Sequence, residues 1–266
     1  MTEDGRRKEE WGQSFAALAV TVLLAASVPQ WLPAQQTLEQ RVAAVGTGSV
    51  RFNFPAKEGV CGNGQNGSIR LRRDSTWARE WEDECEPGPV RLALDVHDRR
   101  VTRLRSYVGG RWRGEATRDL GDVSAVEASA YLLRIAATAD ERVAKDAIFP
   151  AMMADAESPD RELLAIAKDE RRPREVRTTA TFWVAQSAGA RVSEGLQELT
   201  NDPDRQVRES AVFSLSQRPN DESVPALIRL ARTHRDPGIR RNAVFWLGQK
   251  RDPRVIAYFE EVLLGR

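Results

Sequence analysis

Apolar and polar positions along this 266-residue chain follow three different rules in three stretches. Phe15 to Val28 is almost wholly apolar, and no charged residue stands between Trp11 and Thr37. Further on, apolar and polar residues alternate in Val50-Arg-Phe-Asn-Phe54, Ser68-Ile-Arg-Leu-Arg72 and Val90-Arg-Leu-Ala-Leu-Asp-Val96. Period two marks a half-buried strand. His97-Asp98-Arg99-Arg100 then turns the chain into Val101–Val108, a hairpin partner that Gly109-Gly110 ends. The expected result is a small, mostly antiparallel sheet, with Trp77, Trp81 and Trp112 as the bulk beneath it. From Ser124 onward the period becomes helical.

The helical part repeats itself. Val143-Ala-Lys-Asp-Ala-Ile-Phe149, Val176-Arg-Thr-Thr-Ala-Thr-Phe182, Val207-Arg-Glu-Ser-Ala-Val-Phe213 and Ile239-Arg-Arg-Asn-Ala-Val-Phe245 space their Phe residues by 33, 31 and 32 positions. Such a period predicts stacked helix pairs. At fixed distances after each Phe stand Leu163 and Ile166, Leu196 and Leu199, Leu227 and Leu230, and Phe259 and Val262. Two apolar residues three apart, in register four times, predict the inner face of a second helix. Ala180, Ala211 and Ala243 are expected at the close approach between layers, and Phe182, Phe213 and Phe245 are expected to fill the core there. Ser124-Ala-Val-Glu127 has the form of a capping box opening a helix that carries Val126, Ala130, Leu133 and Ile135. Ser158-Pro159, Asp202-Pro203, Asp236-Pro237 and Asp252-Pro253 read as an N-cap followed by a first-turn proline. Pro150 is expected to interrupt its helix.

The run Asp-Pro-x-Ile-Arg-Arg-x-Ala-Val-x-x-Leu-Gly-x-x-x-Asp-Pro-Arg, as in Asp236–Arg254, resembles the HEAT repeat in its short bacterial, phycobilisome-lyase-like form. The likeness spans residues 140–266, and in the first unit Ala144 replaces the arginine. It implies an armadillo-like helical solenoid with a protein-binding surface. It also implies an arginine ladder, here Arg177, Arg208 and Arg240, for which Asp204 and Asp236 are suitable partners. Gln186, Gln217 and Gln249 fall near the ends of the first helices, where a glutamine can bond last-turn carbonyls or line a peptide-binding edge. Trp183 and Trp246 stand beside them, either as partly buried packing or as binding anchors. These five residues are the candidate partner-binding set.

Composition narrows the chemistry. Forty basic and 39 acidic side chains give a net charge of +1, no basis for a nucleic-acid partner or for an anionic membrane surface. A membrane contact would come only through the N-terminal segment. Arg6, Arg7 and Lys8 before the apolar stretch, and Ala25-Ala-Ser27 and Leu32-Pro-Ala34 near its end, read as a secretory signal. An uncleaved anchor over residues 14–32 and a buried cytosolic helix are the alternatives. Export would make Cys61 and Cys85, the only cysteines, a disulfide. Closing their 24-residue loop is worth roughly 3–4 kcal/mol. Gly62-Asn-Gly-Gln-Asn-Gly67 has the spacing of a dinucleotide loop, but a strand follows it where a helix is required. Asn66-Gly67 is therefore read as a hairpin turn; Asn66-Gly-Ser68 is also a glycosylation sequon. Glu80, Glu82, Asp83, Glu84 and Glu86 form an acidic run expected to pair with the arginines of Arg99–Arg105. The chain has no HExxH, GxSxG, P-loop or CxxC, and His97 and His234 lack a motif partner. No catalytic residue, metal ligand or cofactor is expected.

The expected fold is α+β: a signal or anchor over 1–34, a polar linker with little to pack over 35–48, a small antiparallel β domain with one disulfide over 49–122, and an all-α HEAT-like solenoid of about four helix pairs over 123–266. The expected function is a non-enzymatic protein–protein interaction scaffold or adaptor of the cell envelope, exported to the periplasm or beyond, or anchored. A lyase-like enzyme or enzyme subunit, and a ligand-binding β domain carried on a solenoid, are the alternatives.

Overall fold

The computed structural model describes residues 36–71, 85–112, 115–187 and 189–265, and residues 36–266 form one compact unit. The N-terminal apolar stretch, Trp77, Trp81 and the acidic residues 80–84 lie outside the described residues. Among the described residues no helix is long and apolar enough to cross a membrane. The chain runs through α1 (Leu38–Ala43), β1 (Gly48–Phe54), β2 (Val60–Gly62), β3 (Ile69–Leu71), β4 (Glu86–Pro87), β5 (Val90–His97), β6 (Arg100–Tyr107) and β7 (Arg118–Asp122). Helices follow: α2 (Ala125–Thr138), α3 (Glu141–Met153), α4 (Asp160–Lys168), α5 (Arg174–Val184), α6 (Ala190–Leu199), α7 (Arg205–Ser216), α8 (Asn220–Thr233), α9 (Pro237–Gly248) and α10 (Pro253–Leu264). The architecture is the expected one, a small β region followed by a HEAT-like solenoid.

Four strands form a sheet in the order β6-β5-β1-β7, antiparallel except for the parallel β1–β7 pair. Alternation sorts its faces: Val50, Phe52, Phe54, Val90, Leu92 and Leu94 are wholly buried, and Arg51, Ala93 and Arg105 share the other side. At the hairpin, Asp98 and Arg99 both have positive φ, 49° and 63°. Two such residues make the primed turn whose twist matches paired strands. Trp112 corrects an expectation. It lies on the outer face, edge-on to Tyr107 at 6.3 Å, and the bulk beneath the sheet is Phe52, Phe54 and the helices. A second sheet, β3-β2-β4, is held by the Cys61–Cys85 disulfide. The glycine-rich loop joins β2 to β3 as a turn, and the Gly67 N–H donates to the Ser106 carbonyl at 3.0 Å.

The segment read as a linker has much to pack. Thr37 and Gln40 form a full capping box for α1, and Leu38 and Val42 are buried in the common core. Ser124 caps α2, but the Glu127 carboxylate does not close that box. It reaches instead to the Leu38 N–H at 2.7 Å and to Arg41 at 2.9 Å, tying α1 to α2. The inward face of α2 is Ala128, Leu132, Ile135 and Ala136, whereas Val126 and Ala130 are exposed. Pro150 does not interrupt α3, which continues through it to Met153.

Helices α3, α5, α7 and α9 lie side by side in one layer, and α2, α4, α6, α8 and α10 in the other. Ala147, Ala180, Ala211 and Ala243 are wholly buried in the first layer, where small side chains let the helices approach. Asp236 and Asp252 cap α9 and α10 as expected, with Pro237 and Pro253 in the first turn. At α7 the cap is Asp204, two residues later than expected, and at α4 the position is taken by Pro159 with no side-chain bond. The second-helix pairs through Leu230 are buried, but Val262 is exposed and α10 turns Val255 and Tyr258 inward instead.

Candidate interaction surface

The repeated Phe residues do not fill the core. The buried stripe of α5, α7 and α9 is made by the first, fifth and ninth residues of each motif: Val176, Ala180 and Val184; Val207, Ala211 and Leu215; Ile239, Ala243 and Leu247. At about 100° per residue, the seventh position, Phe, lies about 160° from the centre of that stripe. Phe182 is accordingly 36% exposed and Phe245 58%. Trp183 and Trp246, one residue on, sit at the edge of the stripe and are half-buried.

These rings touch in a continuous line across the layer. Phe149 meets Trp183 at 4.9 Å, Trp183 meets Phe182 at 5.1 Å, and Phe182 stacks on Phe213 at 6.3 Å with planes 7° apart. Phe213 meets Trp246 at 5.1 Å, and Trp246 meets Phe245 at 5.0 Å. Stacking of Phe182 directly on Phe213 is allowed by Ser214, which replaces Trp in the middle unit. Its buried hydroxyl donates to the Thr181 carbonyl at 3.2 Å.

At the β-sheet end the line runs into a groove of about 580 Å³, lined by Phe149, Met152, Phe182, Trp183 and Gln186 on the helices and by Lys57 and Ile69 opposite. Burial pulls the Lys57 ammonium below its ordinary pKa, with Asp155 opposing the shift. Of the five candidate residues, Trp183 and Gln186 thus line one groove and Trp246 continues the line. Gln217 and Gln249 are exposed at the C-caps of α7 and α9, and the Gln217 amide donates to Ser216 Oγ at 3.1 Å. A larger groove of about 890 Å³ lies along the other layer, between α2 and α4, with an apolar floor of Leu133 and Ile166 and a charged rim. Among the described residues, no aromatic lines it.

The arginine column is structural in two different ways. Arg177, almost wholly buried, donates to the Ala167 carbonyl at 2.9 Å and pairs with buried Asp202. Arg208 pairs with Asp236 of the next unit at 3.1 Å, and Arg240 donates to the His234 carbonyl at 2.7 Å. Asp204 turns to Arg174 at 2.7 Å instead. Buried His234 is a structural residue: Nδ1 accepts from the Asp236 N–H at 3.1 Å, and Nε2 lies 3.1 Å from the Thr200 carbonyl. Sequence reasoning missed a second set of arginines. Arg172 donates to the Ala139 carbonyl at 2.5 Å, and Arg218 to those of Ala185 at 3.1 Å and Gly189 at 3.2 Å. Ala139 and Ala185 are the C-caps of α2 and α5, where last-turn carbonyls need a partner. The signal was there to read: both arginines are followed by proline, Arg172-Pro173 and Arg218-Pro219.

A family model described as HEAT repeats matches residues 192–265, from α6 through α10. No curated protein matches the chain. Residues 192–265 are thus similar to HEAT repeats, and the stacked helix pairs before them continue the same HEAT-like arrangement. Such repeats generally mediate protein–protein interactions through their extended surfaces. The match is to HEAT repeats as such, with no indication of the phycobilisome-lyase-like form.

Proposed function

We propose that the chain is a non-enzymatic scaffold of the cell envelope, binding a protein partner that lays an apolar segment along the α3–α5–α7–α9 face. Phe182, Trp183, Trp246 and Phe245 are its anchors. One observation carries this reading: six aromatic rings in unbroken contact, with Phe182 and Phe245 open to solvent. Single exposed apolar residues are ordinary, but contiguous patches mark interaction sites, and aromatic anchors concentrate binding energy. Lys57, desolvated beside the groove, favours a segment that brings a carboxylate to that end. Location in the envelope rests on the Phe15–Val28 stretch, and the Cys61–Cys85 bond supports it, since oxidising compartments preserve disulfides.

A photo-crosslinking amino acid placed at position 182, 245 or, as control, 194 on α6 tests the surface. The expected result is one partner captured from 182 and 245, not from 194, and lost when Trp183 and Trp246 are both changed to Ala. Equal capture from 194, or none from 182 and 245, refutes the surface. Recovery of the natural chain in the cytoplasmic fraction with free Cys61 and Cys85 refutes the location.

A further inference from the structure

The outer face of the β6-β5-β1 sheet holds a second, chemically different site. Strand register places Arg51 and Arg105 on either side of Ala93, and Asn53 and Tyr107 on either side of Arg91. Ala93 is the one small side chain at the centre of this face, and above it opens a cavity of about 200 Å³. Trp112 covers its side: the Arg51 guanidinium carbon lies 5.3 Å and that of Arg91 5.6 Å from the ring centroid. Among the described residues, the arginines lining the cavity are those at 51, 91, 105 and 111, and the one lining carboxylate is Glu115.

Two of these guanidinium groups are incompletely bonded. Arg91 is only 9% exposed; its Nη1 donates to the Gly110 carbonyl at 2.8 Å, but Nη2 is buried without a hydrogen-bond partner. Arg105 donates through Nη2 to Asp95 at 2.8 Å, while its Nε is buried and unpartnered. Asp119 is taken by Arg51 at 2.7 Å, and Glu86, whose charge reaches Arg91, accepts from the Gly110 N–H at 2.6 Å. Burial pulls Arg91 below the ordinary arginine range, with Glu86 opposing. Buried donors are nearly always satisfied, and an unmade bond on a buried cation is among the costliest. An anion, which only accepts, is one group that can complete both.

We propose that this cavity binds an oxyanion, a carboxylate or a phosphate group, which accepts from Arg91 Nη2 and Arg105 Nε beside the Trp112 ring. Its volume is below the roughly 300 Å³ at which pockets for whole drug-sized ligands begin, so it seats a terminal group and leaves the rest of the ligand at the surface near Arg111. This site is separate from the aromatic face and does not depend on it.

Calorimetric titration of the full oxidised chain with acetate and with inorganic phosphate, at ionic strength held constant with chloride, tests the proposal. Saturable binding of phosphate alone points to a phosphate ligand, of acetate alone to a carboxylate. Ala93→Leu, which fills the floor without changing charge, and Arg91→Met, which removes the donors, are each expected to weaken binding about tenfold or more, whereas Phe182→Ala leaves it unchanged. In the natural chain, the Arg105 Nε–H resonance should shift with the same saturation, a readout that no folding defect of a variant can spoil. Absence of saturable binding and of that shift with both anions overturns the proposal, as does unchanged affinity in folded variants.

Discussion

Arg177 and Asp202 form an ion pair buried inside the stack. Both side chains are almost completely shielded from water and 25 positions apart in sequence. Removing one leaves the other charged and buried, which costs about 3–5 kcal/mol. Arg177→Met should therefore lower the urea-unfolding free energy by that amount, and Asp202→Leu added to it should restore much of the loss. The exposed Arg205–Glu209 pair is the contrast: Glu209→Ala should cost less than about 1 kcal/mol. A second residue-level effect concerns pH. Arg174 lowers the pKa of Asp204, the Gly238 N–H lowers that of Asp236, and Arg254 takes Asp252 from 3.8 to about 2. A depressed carboxylate pKa adds stability that is present above the unfolded value and lost as pH falls through the folded one. Thermal midpoints should thus drop between about pH 4 and pH 2. Asp146, which burial shifts upward, acts in the opposite sense but is one group. Asn at 204, 236 and 252, which keeps the cap without the charge, should flatten the drop; an unchanged slope would refute the assignment.

Elements are set by local rules where those rules are unambiguous. The β5–β6 turn holds Asp98 and Arg99 in the left-handed region, which costs a non-glycine residue about 1–2 kcal/mol. Replacing them by Asn-Gly should raise stability by about 1 kcal/mol, measured as a shift in urea midpoint at constant m. Periodicity alone made Phe182 and Phe245 look like core, because they recur and are apolar. Their phase against Val176, Ala180 and Val184 puts them on the far side of the helix, and that phase was legible in the sequence. The contact of Phe182 with Phe213 was not legible, because it depends on the neighbouring helix and on Ser214.

At the scale of the molecule, one hydrophobic core runs from Leu38 through the sheet and along the stack to Tyr258. Helix α1, the inner sheet face and α2–α3 belong to it together, so this end should open as a unit. The other end is thinner: Ile256, Val262, Leu263 and Leu264 are exposed on α10. In a stack each unit is stabilised by its neighbours, and helices with few buried contacts open first. Hydrogen-exchange mass spectrometry should find the lowest protection in α10 and higher protection in α5 to α8. Uniform protection along the stack would contradict this gradient.

The sequence by itself determined the helix pairs, their number and period, the strand alternation, the hairpin at Asp98-Arg99 and the partnership of Cys61 with Cys85. The elements follow from spacing along the chain, which local sterics and the burial of one face translate directly into structure; the disulfide follows from there being two cysteines in a chain read as exported. Only the tertiary structure decided which carboxylate each arginine meets, that Leu38 and Val42 belong to the core, and that Trp112 leans on Arg51 and Arg91 outside it. These depend on residues far apart in sequence being brought within a few ångströms, and no local pattern encodes that distance. Phe182 and Phe245 recur as core residues would, yet the fold sets them outward, with Trp183 and Trp246 half-buried beside them.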